Sequence, residues 1–209
     1  MHRSADHNKL RKTLPEAIIR LPDWMEGILR KAPDVFPGVE ERMRFVVELA
    51  RRNVQHRTGG PFGAAVFDEA GRLIAPGVNL VVSSQCSVFH AEIVALALAQ
   101  KALGRYDLSD GGASHYELVT AAEPCAMCFG AVPWSGVQRL ICGARDEDAR
   151  AIGFDEGPKM ADWVKALNDR GITVVRDVLR NEAGAVLREY AAAGGAIYNA
   201  GGQGRSPAL

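Results

Sequence analysis

Between Val39 and about Arg57 the apolar positions Met43, Val46, Val47, Ala50 and Val54 recur every three or four residues, with charged residues between them. That spacing predicts an amphipathic helix with one face on a core. The following stretch, TGGPFGAAVFDEAGRLIAPGVNLVV, changes to short apolar runs on either side of DEAG and predicts two strands around a turn. Residues 90–103, rich in Ala and Leu, predict a second helix, and YELVTAA a third strand. The segment from Cys125 to about Ser135 predicts a short helix despite Pro133, and RLICGA another strand. KMADWVKALNDRG predicts a helix closed by Gly171, ITVV a fifth strand, and EAGAVLREYAAAGG a last helix with a glycine stop. Strands alternating with helices imply a layered α/β domain, and no segment of the chain repeats another.

Ahead of this pattern, residues 1–38 are mixed in charge and punctuated by Pro15, Pro22, Pro33 and Pro37. They read as an extension of unknown role packed on the domain surface. The main domain is expected over 39–196, followed by a tail, 197–209, whose glycine-rich end GGQGRSPAL is expected to be mobile. A length of 209 residues, 47% of them apolar and 24% charged, fits one such domain with appendages. No stretch approaches the roughly 20 apolar residues that span a bilayer. The first 20 residues hold no apolar run of a secretory signal, so a cytoplasmic protein is expected. A formal net charge of zero argues against a nucleic-acid partner, because phosphate neutralisation usually demands a basic surplus.

Four cysteines are too few for a disulfide framework, and in a reducing compartment a CxxC reads as metal-binding or redox-active. Here the pair is Cys125 and Cys128, downstream of a lone His90-Ala91-Glu92. In the expected layout His90 and Glu92 occupy the first turn of one helix, and the two cysteines lie one turn apart on one face of another. Helix N-termini carry partial positive charge, which favours thiolate over thiol and prepares both cysteines for Zn²⁺. One histidine and two thiolates leave the fourth tetrahedral position open, as in catalytic rather than structural zinc sites. Glu92 is then the natural general base. A structural site would need a fourth protein ligand, and Cys86, four residues before His90, is the one candidate; Cys142 lies in an apolar strand and reads as packing.

His90-Ala91-Glu92 and Pro124-Cys125-Ala126-Met127-Cys128 together resemble the H-x-E and P-C-x-x-C signature of the zinc-dependent cytidine deaminase superfamily. GGPFGAAVFD, HAEIVALALAQ, AEPCAMCFGAVPWSGV, AIGFDEGP and REYAAAGGAIYN look like its bacterial guanine deaminases, a group that includes enzymes acting on the triazine ammeline. The likeness covers about residues 40–200 and leaves out the first 38. It implies a three-layer α/β/α cytidine deaminase-like fold with a mixed five-stranded sheet, a homodimer, and one Zn²⁺ per subunit. The implied reaction is hydrolysis of a free nucleobase, guanine to xanthine plus ammonia. Adenosine in tRNA is the rival substrate, with ammeline, cytosine or a modified purine as further alternatives.

The same resemblance assigns a binding shell. Asn79 hydrogen-bonds the ring, Phe62 packs on its face, and the Ala91 N–H and Pro124 C=O lie near the reacting edge. Glu156, in GFDEGP, matches a second acidic residue, with the neighbouring Asp155 as its possible substitute. Guanine presents an N1–H that a carboxylate accepts, whereas adenine's N1 is an acceptor that an ionised carboxylate repels. Glu92 takes the proton of water and delivers it to the ring. Tyr198, between glycine pairs in GGAIYNAGG, is expected to close the site from the tail.

Overall fold

The computed structural model describes residues 16–199. Its elements run α1 (Trp24–Leu29), α2 (Val39–Gln55), β1 (Gly63–Asp68), β2 (Leu73–Val78), α3 (Val81–Ser84) and α4 (Ala91–Leu103). A 3₁₀ turn (Asp110–Gly112), β3 (Tyr116–Ala122), α5 (Ala126–Ser135), β4 (Arg139–Ala144) and α6 (Asp146–Ala151) follow. The chain continues through α7 (Trp163–Asn168), β5 (Thr173–Val175) and α8 (Arg180–Ala192). The five strands form one sheet in the order β2-β1-β3-β4-β5. β1 runs antiparallel to both β2 and β3, while β3, β4 and β5 are mutually parallel.

Period-two alternation sorts the strand side chains into two cores. Ala65, Phe67, Val119 and Ile141 pack under α2 and α8 with Met43, Val46, Ala183 and Leu187. Ala64, Val66, Leu118, Leu140 and Cys142 face the other way, toward Ala91, Ala95, Ala99, Val132 and Trp163 of α4, α5 and α7. The result is the three-layer α/β/α arrangement with a mixed sheet. Alanines on α4 let that helix lie close on β2, and Gly77 makes the approach possible. A Cβ at Gly77 would overlap the Ala91 carbonyl and stand 2.6 Å from the Ala95 amide nitrogen.

Within the segment preceding α2, Met25 joins a third buried cluster with Leu49, Val78 and Leu80, and Phe36 enters the core beneath α2. Arg42, buried on α2, donates to the Phe36 carbonyl at 2.8 Å and pairs with buried Glu117 of β3, which holds this segment down. The expected mobility of the last residues, 200–209, falls outside the described part of the chain, as do residues 1–15.

Two expectations need correction. The helix expected from Lys159 begins only at Trp163, because Lys159 buries its ammonium beside Asp146 at 3.0 Å rather than continuing a solvated helical face. Gly171 (φ +79°) still closes α7: the Ile172 N–H bonds the Leu167 carbonyl at 3.0 Å and the Gly171 N–H the Asn168 carbonyl at 2.9 Å. The short helices α1, α3 and α6 were not expected. In α6, DEDARA has no apolar stripe; its start is held by the Asp148 carboxylate, which accepts from the Arg145 N–H at 2.8 Å.

Candidate active site

α4 and α5 begin at the same place. His90 is the N-cap of α4 (φ −69°, ψ 157°) and Cys125 the N-cap of α5 (φ −65°, ψ 174°). Both residues are extended and turn into the helix immediately afterwards. Cys128, in the first turn of α5, then returns to the face of Cys125. One donor atom from each of His90, Cys125 and Cys128 lies within 4.8 Å of the others. His90 Nδ1 is 3.5 Å from Cys125 Sγ. Zinc–nitrogen bonds of 2.0–2.1 Å and zinc–sulfur bonds of 2.3 Å in a tetrahedron imply edges of about 3.5–3.8 Å, so these donors fit that ion without rearrangement of the His90–Cys125 pair. Cys86 packs instead against the cluster of Met25, Leu49, Leu80 and Phe89, and is not among the clustered donors.

The titrating groups here conflict with one another. Hydrogen bonding from Cys128 holds the Cys125 thiol down to about 4 against the effect of burial, with His90 adding to the drop. The same contact, then burial, pushes Cys128 well up. Burial by itself would lower the His90 imidazole, but Cys125 and Glu92 raise it above its usual value. Burial, then the Cys125 charge, raises Glu92 to about 7. Burial, then the charges of Cys125 and Glu92, raises Glu156 to about 8. A histidine, two sulfurs and two carboxyls sharing one buried volume are a donor set suited to a dication, which favours thiolate and carboxylate over their protonated forms.

A cavity of about 360 Å³ opens over these groups. Phe62, Asn79, His90, Glu92, Cys125, Glu156 and Tyr198 all line it. Ala91, Pro124 and Cys128 are buried and are not among its lining residues. Asn79 is 1% exposed, and its Oδ1 accepts from the Val81 N–H at 3.2 Å, which leaves Nδ2 as the group free to donate into the cavity. Glu156 is buried, while its backbone carbonyl accepts from the Ala126 N–H at 2.9 Å and ties its loop to α5. Asp155 is exposed, and its carboxylate accepts from the Gly157 N–H at 2.9 Å. The tail folds back onto the same chain's cavity: Asn199 Nδ2 donates to the Gly153 carbonyl at 2.9 Å and its Oδ1 accepts from the Asp155 N–H at 3.0 Å.

Two contributors were not singled out from sequence. Phe154 stands edge-on to Phe62 (centroids 5.0 Å) and to Tyr198 (5.1 Å), so three aromatic rings make one wall. Its position in GFDEGP, one residue before two acids, was the available signal. Lys159 donates to the Pro124 carbonyl at 2.9 Å and lies over the Trp163 ring at 4.9 Å. Nothing local marks it, since its partners come from the far end of β3, from α6 and from α7.

Residues 38–144 match the family model described as the cytidine and deoxycytidylate deaminase zinc-binding region. A guanine deaminase structure from Nitrosomonas europaea is 52% identical, with a TM-score of 0.79 over 84% of this chain and 96% of that one. A structure solved with 2,6-diaminopurine is likewise 52% identical, with a TM-score of 0.81, covering 88% of this chain and 97% of that one. A tRNA-specific adenosine deaminase of Haemophilus influenzae is 36% identical over 114 residues, which is 54% of this chain and 62% of that protein.

The donor geometry predicts one tightly held zinc ion per chain. Elemental analysis of the purified protein should find that stoichiometry, and Cys125→Ala with Cys128→Ala should reduce it to background. Unchanged zinc in the double variant would place the metal elsewhere.

Proposed function

The chain belongs to the cytidine and deoxycytidylate deaminase zinc-binding family, and from that premise we propose that it hydrolyses guanine to xanthine and ammonia. The observation that carries the choice of base is Glu156: a second carboxyl, 6% exposed, on a cavity that already holds Glu92. Guanine's N1–H gives that carboxylate a donor, and adenine does not. A ring N–H and a nearby dication both favour the ionised form, against the burial that raises it to about 8. The relationship to the Nitrosomonas europaea guanine deaminase over nearly its whole length supports the same substrate.

When bound, zinc supplies the Lewis acidity that makes water a nucleophile near neutral pH. Glu92 accepts the proton of that water, passes it to the ring nitrogen beside the carbon under attack, and carries a further proton to the departing amine. Buried at the start of α4, it stands two residues after His90 and lines the same cavity. Asn79 Nδ2 donates to the base, and Phe62 and Phe154 flank it. The Pro124 carbonyl, with one lone pair taken by Lys159, keeps a second that we assign to the leaving amine. Tyr198 closes the cavity from the tail, its hydroxyl buried and without a partner. Burial pushes the pKa of that hydroxyl well above its ordinary value, so it stays protonated and able to donate.

A second copy of the chain is the proposed partner. Met127, Gly130, Ala131 and Trp134 share one face of α5, at the spacing of a helical stripe, and Trp134 is 85% exposed. Burial of that face by its own copy would remove a large indole from water and brace the helix that carries both cysteines. Among the described residues no helix is long and apolar enough to cross a membrane.

Glu92→Gln should keep zinc and fold while turnover falls by about 10²–10⁴-fold, because an amide cannot accept and return protons. Ammonia release by the native protein should be well above background for guanine and far lower for adenine, cytosine and guanosine, with Glu156→Gln losing the guanine activity. Faster deamination of adenosine in a tRNA stem-loop would overturn the choice of base. Sedimentation at micromolar concentration should give a dimer, and Trp134→Glu a monomer; a native monomer would contradict the α5 contact.

A further inference from the structure

Asn53 is a polar residue on the buried face of α2, and it is fully buried (0% exposed). Its Nδ2 lies 2.9 Å from the Gly60 carbonyl and 2.9 Å from the Asn79 carbonyl. Two carbonyl acceptors require the amide's NH₂ on that side, which turns Oδ1 toward Thr58. The Thr58 hydroxyl therefore donates to Oδ1, at 2.7 Å. The Asn53 backbone carbonyl, at 3.3 Å, is a second and longer acceptor for the same proton; with its proton on Asn53 in either case, the hydroxyl accepts from the indole N–H of Trp24 at 3.0 Å. Every donor and acceptor in the series is matched, and its direction follows from the two carbonyls at its end. Trp24 is in turn stacked on His56, with centroids 5.5 Å apart, and belongs to the segment ahead of residue 38, where the family match begins.

Of the two carbonyls at the end of this relay, one belongs to Asn79, which lines the binding cavity, and the other to Gly60, which packs behind Tyr198 of its lining. Asn79 supplies the side chain that faces the base. Gly60 has Tyr198 seated on it, and a Cβ there would overlap the tyrosine hydroxyl. Gly59 is pressed against the Asn79 carbonyl, where a Cβ would overlap as well. The Thr58-Gly59-Gly60 turn is thus where the segment before α2, the end of β2 and the C-terminal tail meet.

We propose that Trp24, Thr58 and Asn53 are positioning residues for base binding: through their hydrogen-bonded relay the segment ahead of residue 38 sets where Asn79 and Tyr198 meet the substrate. This gives the extension a role in affinity. It rests on the proposed nucleobase reading for its kinetic consequence, but not for its geometry. The relay touches neither the zinc donors nor Glu92, so its loss weakens binding of ground state and transition state together and raises KM rather than lowering kcat.

Asn53→Ala opens a buried hole and can fail to fold, so Thr58 is the informative position. Thr58→Val keeps the volume and removes the hydroxyl, leaving the Asn53 oxygen and the Trp24 N–H without partners. KM for guanine should rise about five- to thirty-fold, the loss expected for a hydrogen bond or two, with kcat within about twofold of native. Thr58→Ser should restore KM, and Trp24→Phe, which keeps the stack on His56, should raise it in the same direction. Without any substrate, the Asn79 side-chain amide resonances should shift in Thr58→Val and return in Thr58→Ser. If the native protein prefers another base, the choice of guanine fails while the amide resonances still decide the relay. A folded Thr58→Val protein with native KM and unmoved Asn79 resonances would overturn it. So would a Thr58→Ser protein as impaired as Thr58→Val, which would mark a role in packing alone.

Discussion

The structure depends on bringing three donor atoms from two different helices to within 4.8 Å of each other. Neither helix can be shifted independently to achieve this. α4 is held against β2 by its alanines and by the absence of a side chain at Gly77, and α5 leaves the sheet three residues beyond β3. With β1 and β3 adjacent at the centre of the sheet, both helix starts come to one end of it. Glu92 needs no separate placement, because a residue two positions after His90 in the first turn of a helix stays beside it.

That convergence gathers titratable groups whose charged forms are costly in a buried volume. Cys125 is held near 4 by its hydrogen bond with Cys128, while burial, then the Cys125 charge, raises Glu92 to about 7 and Glu156 to about 8 in the same volume. Buried like charges normally neutralise by taking up protons. A cation on the histidine and the two sulfurs would let thiolates and carboxylates coexist, and would return both acids toward the ionised forms that the proposed proton transfer and N–H recognition require. Phe62, Phe154 and Tyr198 together make one aromatic wall of the cavity, and Lys159 ties down the Pro124 carbonyl at the start of α5.

What was legible in the sequence was local. His90, Glu92, Cys125 and Cys128 announce themselves because helix geometry converts their spacing directly into shared faces, and the five strands are visible from runs of apolar residues that the two cores require. Lys159 reads as the start of a helix from its neighbours, and only the fold shows that Asp146 and Pro124, brought from other elements, draw its side chain inward. Asn53 is equally silent: a polar residue on an amphipathic helix looks like part of the solvated face until Gly60 and Asn79 are found against it. The extension was assigned to the surface because its prolines break periodicity. Met25 and Phe36 nevertheless reach buried clusters, since a segment without regular structure can still place single side chains in a core.

Zinc K-edge X-ray absorption on the purified protein tests the central claim most directly, because it counts the donor atoms around the metal. The account predicts two sulfur ligands near 2.3 Å, one imidazole nitrogen at 2.0–2.1 Å and one light oxygen ligand in the open position. A third sulfur in the coordination shell, or four protein ligands with no exchangeable oxygen, would contradict it and make the centre a structural one.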